Sequence, residues 1–555
     1  MPKRHSPFFF WIIGAFAIRV VSAFTHSWWN HPDEWFQTAE FARVITDGVA
    51  YHSHEMGMHL RNLAWPMALA VPLKLAEWLL PQEVSAATRA IQFFCGLLDL
   101  AGLWGFWQLV KRMRLSRTWQ HLALALMILP FYTVSESIRP SSEHIAIILT
   151  WVTLGLLAAG SPLLAGLSAV AIAAVKYPAG LISLGIFMAL AAETRRTKVS
   201  QTQFVKFSAG IAIGLVVFGI PDWIFYGRPW ESLWMYLQFN LLTGLSASIF
   251  GQQGVQEYAR IFVDHWGRMP LPFVGLPLLV AAVYGLQRAV RGRDIVFRAA
   301  AFGAIAYLIG HLLVGHKEPR FMLPLESLLL GFSIYGAAVL NWAWITSRSL
   351  KRALMATIGI GALMNTALFV KSLWGETWIA QGTYFEITRH LSENPGTCAV
   401  VTVRSPVNSF AVPVGVPIGQ WALGRHELSD PSRSAMAVEW FEHDPQCSQS
   451  QTILLHLYKP DPVWPGLGCE ILASGFLSVL PVSRWDWAMS KGYVSGPWYR
   501  CPSGVLRAFT KQSVIHPLTG FFPPIEKLPG FGISGEVLRE MGRRRTPPLI
   551  TAKAR

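Results

Sequence analysis

The sequence predicts a polytopic α-helical membrane protein with a smaller α/β domain at its C-terminal end. Three observations carry that expectation. Of 555 residues, 52% are hydrophobic and only 14% charged, with a mean hydropathy of +0.36. A soluble chain of this size carries about a quarter charged residues to cover its surface. Apolar runs of about 18 residues or more recur along the chain, the length a helix needs to cross a bilayer. The Lys and Arg behind the net charge of +15 gather in short clusters between those runs. That is the signature of loops held on the cytoplasmic side, not of a nucleic-acid-binding face. The 24 tryptophans suit belts at the two membrane interfaces.

Taken in order with a cytoplasmic amino terminus, the chain gives about eleven crossings. The first helix is about 8–25, behind Lys3 and Arg4, and no small-residue cleavage site follows it. An exported loop, about 26–88, contains a semi-apolar piece from Leu63 to Leu80, broken by Pro66, Pro72, Lys74 and Glu77. It is expected to lie in the interface, because treating it as a span would invert every later basic cluster. The second helix (about 89–110) ends at Lys111, Arg112, Arg114 and Arg117. The next are about 119–135, 143–159, 162–175 and 179–192, the last ending at Arg195, Arg196 and Lys198. The seventh (about 204–221) opens into a second exported loop, about 222–270. The eighth (271–287) returns to Arg288, Arg291 and Arg293, and the ninth (299–315) exits at His316. The tenth (322–345) returns to Arg348, Lys351 and Arg352, and the eleventh (353–371) exits.

The chain thus divides into a membrane domain over 1–371, an extracytoplasmic α/β domain over 372–542 and a basic tail over 543–555. In the second domain, β-prone runs such as Cys398–Val403 and Thr452–Leu457 alternate with Pro- and Gly-rich turns. Cys398, Cys447, Cys469 and Cys501 fall there, giving either free thiols or up to two disulfides with three pairings. Cys95 sits in an apolar helix as packing.

Ionisable groups beside a bilayer are costly unless paired or useful, and the exported side is rich in them. The stretch His31-Pro32-Asp33-Glu34-Trp35-Phe36-Gln37 follows the first helix, with Glu55 and Arg61 behind it. Asp99 lies at membrane depth. Arg139, Glu143, Lys176, Asp222, Tyr226 and Asn240 end or begin later helices, and His316, Lys317, Glu318 and Arg320 form one short loop. Facing carboxylates and cations suit a site where a phosphate leaves and a hydroxyl attacks. Simpler roles stand beside these. Asp33 and Glu34 can start a solvated loop or cap an interfacial helix. Asp99 can pair with Arg89 or Arg139. Glu143 can answer a helix dipole, and residues 316–320 can snorkel.

HPDEWFQ at 31–37 resembles the first-loop signature of the polyprenol-phosphate-mannose-dependent mannosyltransferases, glycosyltransferase family 22, the GPI mannosyltransferase III group especially. HKEPRFMLP at 316–324 resembles the family's HKE-x-RF-x-x-P segment. Arg139 to Glu143, and Asp222 to Tyr226-Gly227 with Asn240, are similar to its middle motifs, and Glu55, Arg61 and Asp99 match in position. Lys176 stands where the family has Arg, and the tail matches poorly. The resemblance implies a GT-C fold, an extracytoplasmic site and inverting transfer of mannose from a polyprenyl phosphate. It implies Asp33 as the base, with Glu34 orienting it or taking its place. It implies that Lys317 and Arg320 neutralise the donor phosphate, with His316 donating a hydrogen bond and Arg139 and Lys176 as further cations. His31, Gln37, Glu55, Arg61, Asp99, Glu143, Asp222, Tyr226, Asn240 and Glu318 would support the site. No cofactor is required, since phosphate is already a good leaving group, and a divalent ion on Asp33 and Glu34 is the less favoured variant. The partners would be the lipid-linked mannose, a glycan or glycolipid acceptor and membrane lipids. The short loops suit a bacterial plasma membrane over endoplasmic reticulum. Two alternatives remain open: a transferase of the same fold using another polyprenyl-phosphate sugar, and a transporter of lipid-linked sugars. A transporter should show internal repeats and sites at the bilayer midplane, and the sequence shows neither.

Overall fold

A computed structural model describes residues 7–25, 35–47, 58–80, 84–129, 134, 136–195, 197–244, 246, 251–268, 272–339, 397–403, 421–423, 452–457, 470–472 and 498–502. His31, Asp33, Glu34, Glu55, the eleventh predicted helix and the basic tail lie outside them.

The membrane part begins with α1 (Pro7–Thr25), a π-helical turn (Trp35–Ala39) and α2 (Glu40–Asp47). α3 (Ala64–Leu79), α4 (Val84–Arg112), α5 (Arg117–Ile128), α6 (Ser142–Ala158), α7 (Pro162–Val175) and α8 (Gly180–Glu193) follow. Then come α9 (Lys198–Tyr226), α10 (Glu231–Leu237), α11 (Gln256–Arg268), α12 (Pro272–Arg291), α13 (Ile295–Leu313) and α14 (Leu323–Val339). Among the described residues, four stretches are long and apolar enough to cross a bilayer: Ala86–Arg112, Lys198–Tyr226, Ile295–Leu313 and Pro319–Val339. Shorter apolar helices accompany them.

The helix ends differ from hydropathy for physical reasons. α9 reaches from Lys198 to Tyr226, beyond the apolar stretch 204–221, because polar ends are helical too. It closes at Gly227, whose φ of 83° is the left-handed cap that glycine takes without a Cβ clash. α5 stops at Ile128, short of the expected 135. Pro130 follows its C-cap, and proline has no N–H with which to continue the helical hydrogen-bond ladder. α13 starts four residues before the expected 299, where the Asp294 side chain accepts from the Val296 N–H at 2.9 Å.

α1 and α4 run antiparallel. Phe8 stacks on Trp107 at one end, and Arg89 lies over Phe24 at the other. The intervening segment therefore leaves and re-enters at the same end. α3 lies within it. Its 16 residues span about 24 Å, and Val71, Leu75, Trp78 and Leu79 stay exposed along it.

Glycines sit where helices cross closely. A Cβ on Gly105 of α4 would strike the Trp151 carbonyl of α6, and one on Gly166 of α7 the Phe207 carbonyl of α9. Gly185 of α8 meets Phe302 of α13, and Gly285 of α12 meets Phe332 of α14. Small residues let backbones approach where lipid offers no hydrophobic drive.

Beyond the membrane part, β1 (Thr397–Val403), β2 (Trp421–Leu423), β3 (Thr452–Leu457), β4 (Glu470–Leu472) and β5 (Trp498–Pro502) form one sheet in the order β2-β1-β3-β5-β4. β2, β1 and β3 are parallel, and β5 runs antiparallel to β3 and β4. β1 and β3 fall on the two β-prone runs. Cys398 in β1 and Cys501 in β5 are separated by β3. Strands two apart lie about 9.5 Å from one another, beyond the reach of a disulfide. A bridge from Cys398 would therefore need Cys447 or Cys469, which lie outside the described residues.

Candidate active site

The charged groups sort to opposite ends of the helices. At one end, where the basic clusters fall, Arg112 donates to the Ala158 carbonyl at 2.9 Å and pairs with Asp294 at 3.3 Å. Arg298 pairs with Glu193 there as well. The other end collects the residues expected on the exported side.

Its centre is built from α6, α7 and the loop after α13. Ser141 caps α6 by accepting from the His144 N–H at 3.1 Å, which sets Glu143 in the first turn. Lys176, the C-cap of α7, donates to Glu143 at 2.6 Å. Arg320 reaches the same Glu143 oxygen at 3.9 Å and binds Glu318 at 2.5 Å, while His316 meets the other Glu318 oxygen at 2.9 Å. Arg61 is within electrostatic reach of Lys176. His316 and Arg320 thus share Glu318.

Lys317 makes other contacts. It is 3% exposed, its Nζ donates to the Val314 carbonyl and lies 4.8 Å from the centre of the Tyr258 ring. Among the described residues no carboxylate pairs with it. Burial pushes its pKa below the ordinary lysine range. His311, buried and within electrostatic reach of Lys176 and Lys317, bonds the Tyr258 hydroxyl at 3.3 Å.

Asp222, fully buried near the end of α9, accepts from the Ser232 N–H at 3.1 Å and from its hydroxyl. Ser232 spends its only proton there, so Tyr177 is the donor in the short bond between their hydroxyls. This chain ties α9 and α10 to the residue beside Lys176. Tyr226, one turn beyond Asp222, donates to the Arg61 carbonyl at 3.2 Å and stacks on His59 at 4.2 Å. Gln37 is buried in the π-helical turn. Asn240 donates to the Tyr236 carbonyl of its own turn at 3.0 Å.

Two expected residues sit a turn away with partners of their own. Arg139 binds Glu136 at 2.5 Å. Asp99 pairs with neither Arg89 nor Arg139. Its partners are Arg19 of α1, at 2.9 Å, and His144, at 3.4 Å. Arg89 instead lies over Phe24. Sequence reasoning missed Arg19, whose signal was a lone cation inside an apolar helix. It also missed Tyr177, Ser232, Tyr258 and His311, which carry no charge pattern. Among the described residues no three His, Cys, Asp or Glu side chains gather as a metal site.

Cations and carboxylates gather at one end of a helical bundle, and the family and fold matches make the chain a membrane glycosyltransferase of GT-C type. The fold is similar to that of ArnT from Cupriavidus metallidurans, solved with undecaprenyl phosphate, at a TM-score of 0.53 and 11% identity. The alignment covers 84% of this chain and 96% of that one, and shows a shared fold. The chain belongs to the Alg9-like mannosyltransferase family, whose profile matches residues 9–391. A relative, GPI mannosyltransferase 3 of Yarrowia lipolytica, is 26% identical over 322 residues, 56% of this chain. The matched stretch spans 59% of that relative's length.

Proposed function

We propose that the chain moves mannose from a polyprenyl-phosphate donor to a hydroxyl of a glycan or glycolipid acceptor, with inversion. The site lies on the extracytoplasmic side of about eleven crossings, in a bacterial plasma membrane. Asp33 takes the acceptor's hydroxyl proton as the oxygen attacks the anomeric carbon, with Glu34 orienting it or taking its place. The bond from that carbon to the phosphate oxygen breaks, and its electron pair leaves with the lipid phosphate. Lys317, Arg320 and Lys176 neutralise the growing charge, His316 donates a hydrogen bond, and Arg139 is a further cation behind them. A phosphate leaves well without help, so the chemistry calls for no cofactor.

The observation that carries this reading is the Lys317 ammonium. A buried cation costs several kcal/mol unless an anion meets it, and among the described residues no carboxylate meets this one. Arg320 and Lys176, by contrast, already have carboxylates within reach. The solved relative of this fold binds a polyprenyl phosphate, the class of anion the reading requires.

The test uses purified protein in detergent, radiolabelled mannosyl-phosphoryl-polyprenol and a crude glycolipid extract. Transfer by wild type is expected, lost with Asp33→Asn and weakened with Lys317→Ala. Loss with Glu34→Gln in place of Asp33→Asn moves the base by one residue. Transfer only from another sugar donor overturns the mannose assignment. Movement of lipid-linked sugar across vesicles without transfer makes the chain a transporter.

A further inference from the structure

The loop that carries Lys317 has little structure of its own. Val314 and Glu318 are extended, and the backbone bonds of residues 314–318 within the loop are few. A residue 64 positions earlier in the sequence supplies what the middle of the loop lacks. The Gln253 N–H donates to the Gly315 carbonyl at 2.9 Å, and the Gln253 Oε1 accepts from the Lys317 N–H at 2.7 Å. One glutamine thus bridges the two residues that flank His316, from backbone and side chain together. Five residues on, Tyr258 is 1% exposed and turns its ring face to the Lys317 ammonium at 4.8 Å. Its hydroxyl is anchored on His311 of α13, whose ring lies 4.3 Å from that of Tyr307. The ring therefore has a fixed backing.

We infer that Gln253 and Tyr258 are positioning residues: the second long loop holds Lys317 in place as the donor phosphate's ligand. The inference rests on the reading of Lys317 as that ligand. Gln253 fixes the backbone from which the lysine departs. Tyr258 faces the ammonium with π-electron density, which favours its charged form without neutralising it as a carboxylate would. The lysine is held, yet two of its three N–H groups have no hydrogen-bond partner among the described residues. Neither residue belongs to the motifs at 31–37 or 316–324.

The experiment measures donor KM, kcat and the pH dependence of kcat/KM on the full-length protein in detergent, using mannosyl-phosphoryl-polyprenol. Gln253→Asn withdraws the acceptor by one methylene and is expected to raise donor KM about five- to tenfold, the worth of one hydrogen bond, with kcat little changed. Gln253→Glu keeps an acceptor at full reach and should recover at least half of that loss. Tyr258→Leu should move the alkaline limb of kcat/KM to lower pH, and Tyr258→Phe should restore most of it. In a Lys317→Ala background, Gln253→Asn should add nothing, because it acts through the lysine. Additive penalties, or a wild-type KM for Gln253→Asn beside a raised KM for Lys317→Ala, overturn the positioning role and leave the phosphate reading standing. A wild-type KM for Lys317→Ala itself overturns the phosphate reading, and the positioning role with it. Melting temperatures of each variant separate these outcomes from a failure to fold, and the Gln253→Glu arm decides where Gln253→Asn does not fold.

Discussion

Removing Asp99 should cost far more than removing Asp99 and Arg19 together. The Arg19 Nε and Nη2 lie 3.0 and 2.9 Å from one Asp99 oxygen, and the side chains are 2% and 9% exposed. A third guanidinium nitrogen reaches the Ile128 carbonyl of α5 at 3.3 Å, and His144 of α6 stands 3.4 Å from the other carboxylate oxygen. Asp99→Leu leaves a guanidinium buried without its counter-charge, at a cost of about 3–5 kcal/mol. Arg19→Met leaves the carboxylate in the same position, at a similar cost. The double variant removes both charges, and apolar replacement of a buried pair is about neutral or stabilising. The coupling between the two sites should therefore exceed about 3 kcal/mol. Denaturant unfolding in detergent, followed by tryptophan fluorescence, gives the four stabilities. A double variant as unstable as the sum of the singles would falsify the pairing. Transfer activity gives a second readout. The His31–Gln37 stretch follows α1 closely in the sequence, so a loosened α1 should lower kcat even in variants that stay folded at the assay temperature.

Three further outcomes are expected. Glu143→Gln removes the partner Lys176 holds at 2.6 Å, where both side chains are about 5% exposed; donor KM should rise at least tenfold and stability fall by about 3–5 kcal/mol. The pH dependence has two signs. If the Lys317 ammonium binds the donor as proposed, donor kcat/KM should be flat below its lowered pKa and fall as pH rises through it. Over the window from that pKa up to the unfolded value of about 10.4, the folded state holds fewer protons than the unfolded one, so folding stability should rise with pH instead. Lys317→Arg should move the activity limb to higher pH, read from a pH–rate profile. Finally, excess EDTA should leave the transfer rate unchanged, while loss that Mn²⁺ or Mg²⁺ restores would place a divalent ion in the site.

The places of the helices along the chain were legible because hydropathy and basic clusters record them one residue at a time. Lys198 to Tyr226 and Arg117 to Ile128 show where that record ends. Polar residues at the ends of α9 are helical although they are not apolar, and α5 is cut by Pro130 rather than by polarity. Counting helix ends along the chain placed Glu143, Lys176 and Arg320 on one side, and in the fold they meet. Their pairing was not legible. Glu143 and Lys176 stand 33 residues apart, and Arg19 and Asp99 stand 80 apart. Whether they touch depends on the rotation of each helix about its axis. In α4 that rotation is set by Gly96, against which Arg19 packs, and by Gly105 at the crossing with α6. A hydropathy profile contains no such term. The neutral holders Tyr177, Ser232 and Gln253 were less legible still, since a hydroxyl or amide in a loop looks the same whether it binds solvent or fixes a cation.

The charges of the site end thus separate into two kinds. Arg19, Arg139 and Lys176 are each met by a carboxylate from the same or another element. In the Arg19 and Lys176 pairs the partners come from different helices, so the pairs fix how α1 stands against α4, and α6 against α7. Charges of that kind would be as useful in a structural protein as in an enzyme. Lys317 is of the other kind. It is as buried as they are, but its surroundings are a carbonyl, an aromatic face and a glutamine that holds its backbone. Burial lowers the lysine's pKa and the aromatic face offsets part of that, while among the described residues no carboxylate meets the ammonium, which suits the proposed reading of a lipid phosphate as its counter-charge. The anion has to reach one end of the helices, and among the described residues no matching cation stands at mid-depth without a partner. That asymmetry favours chemistry on a lipid phosphate at a single face over passage of the lipid from one face to the other.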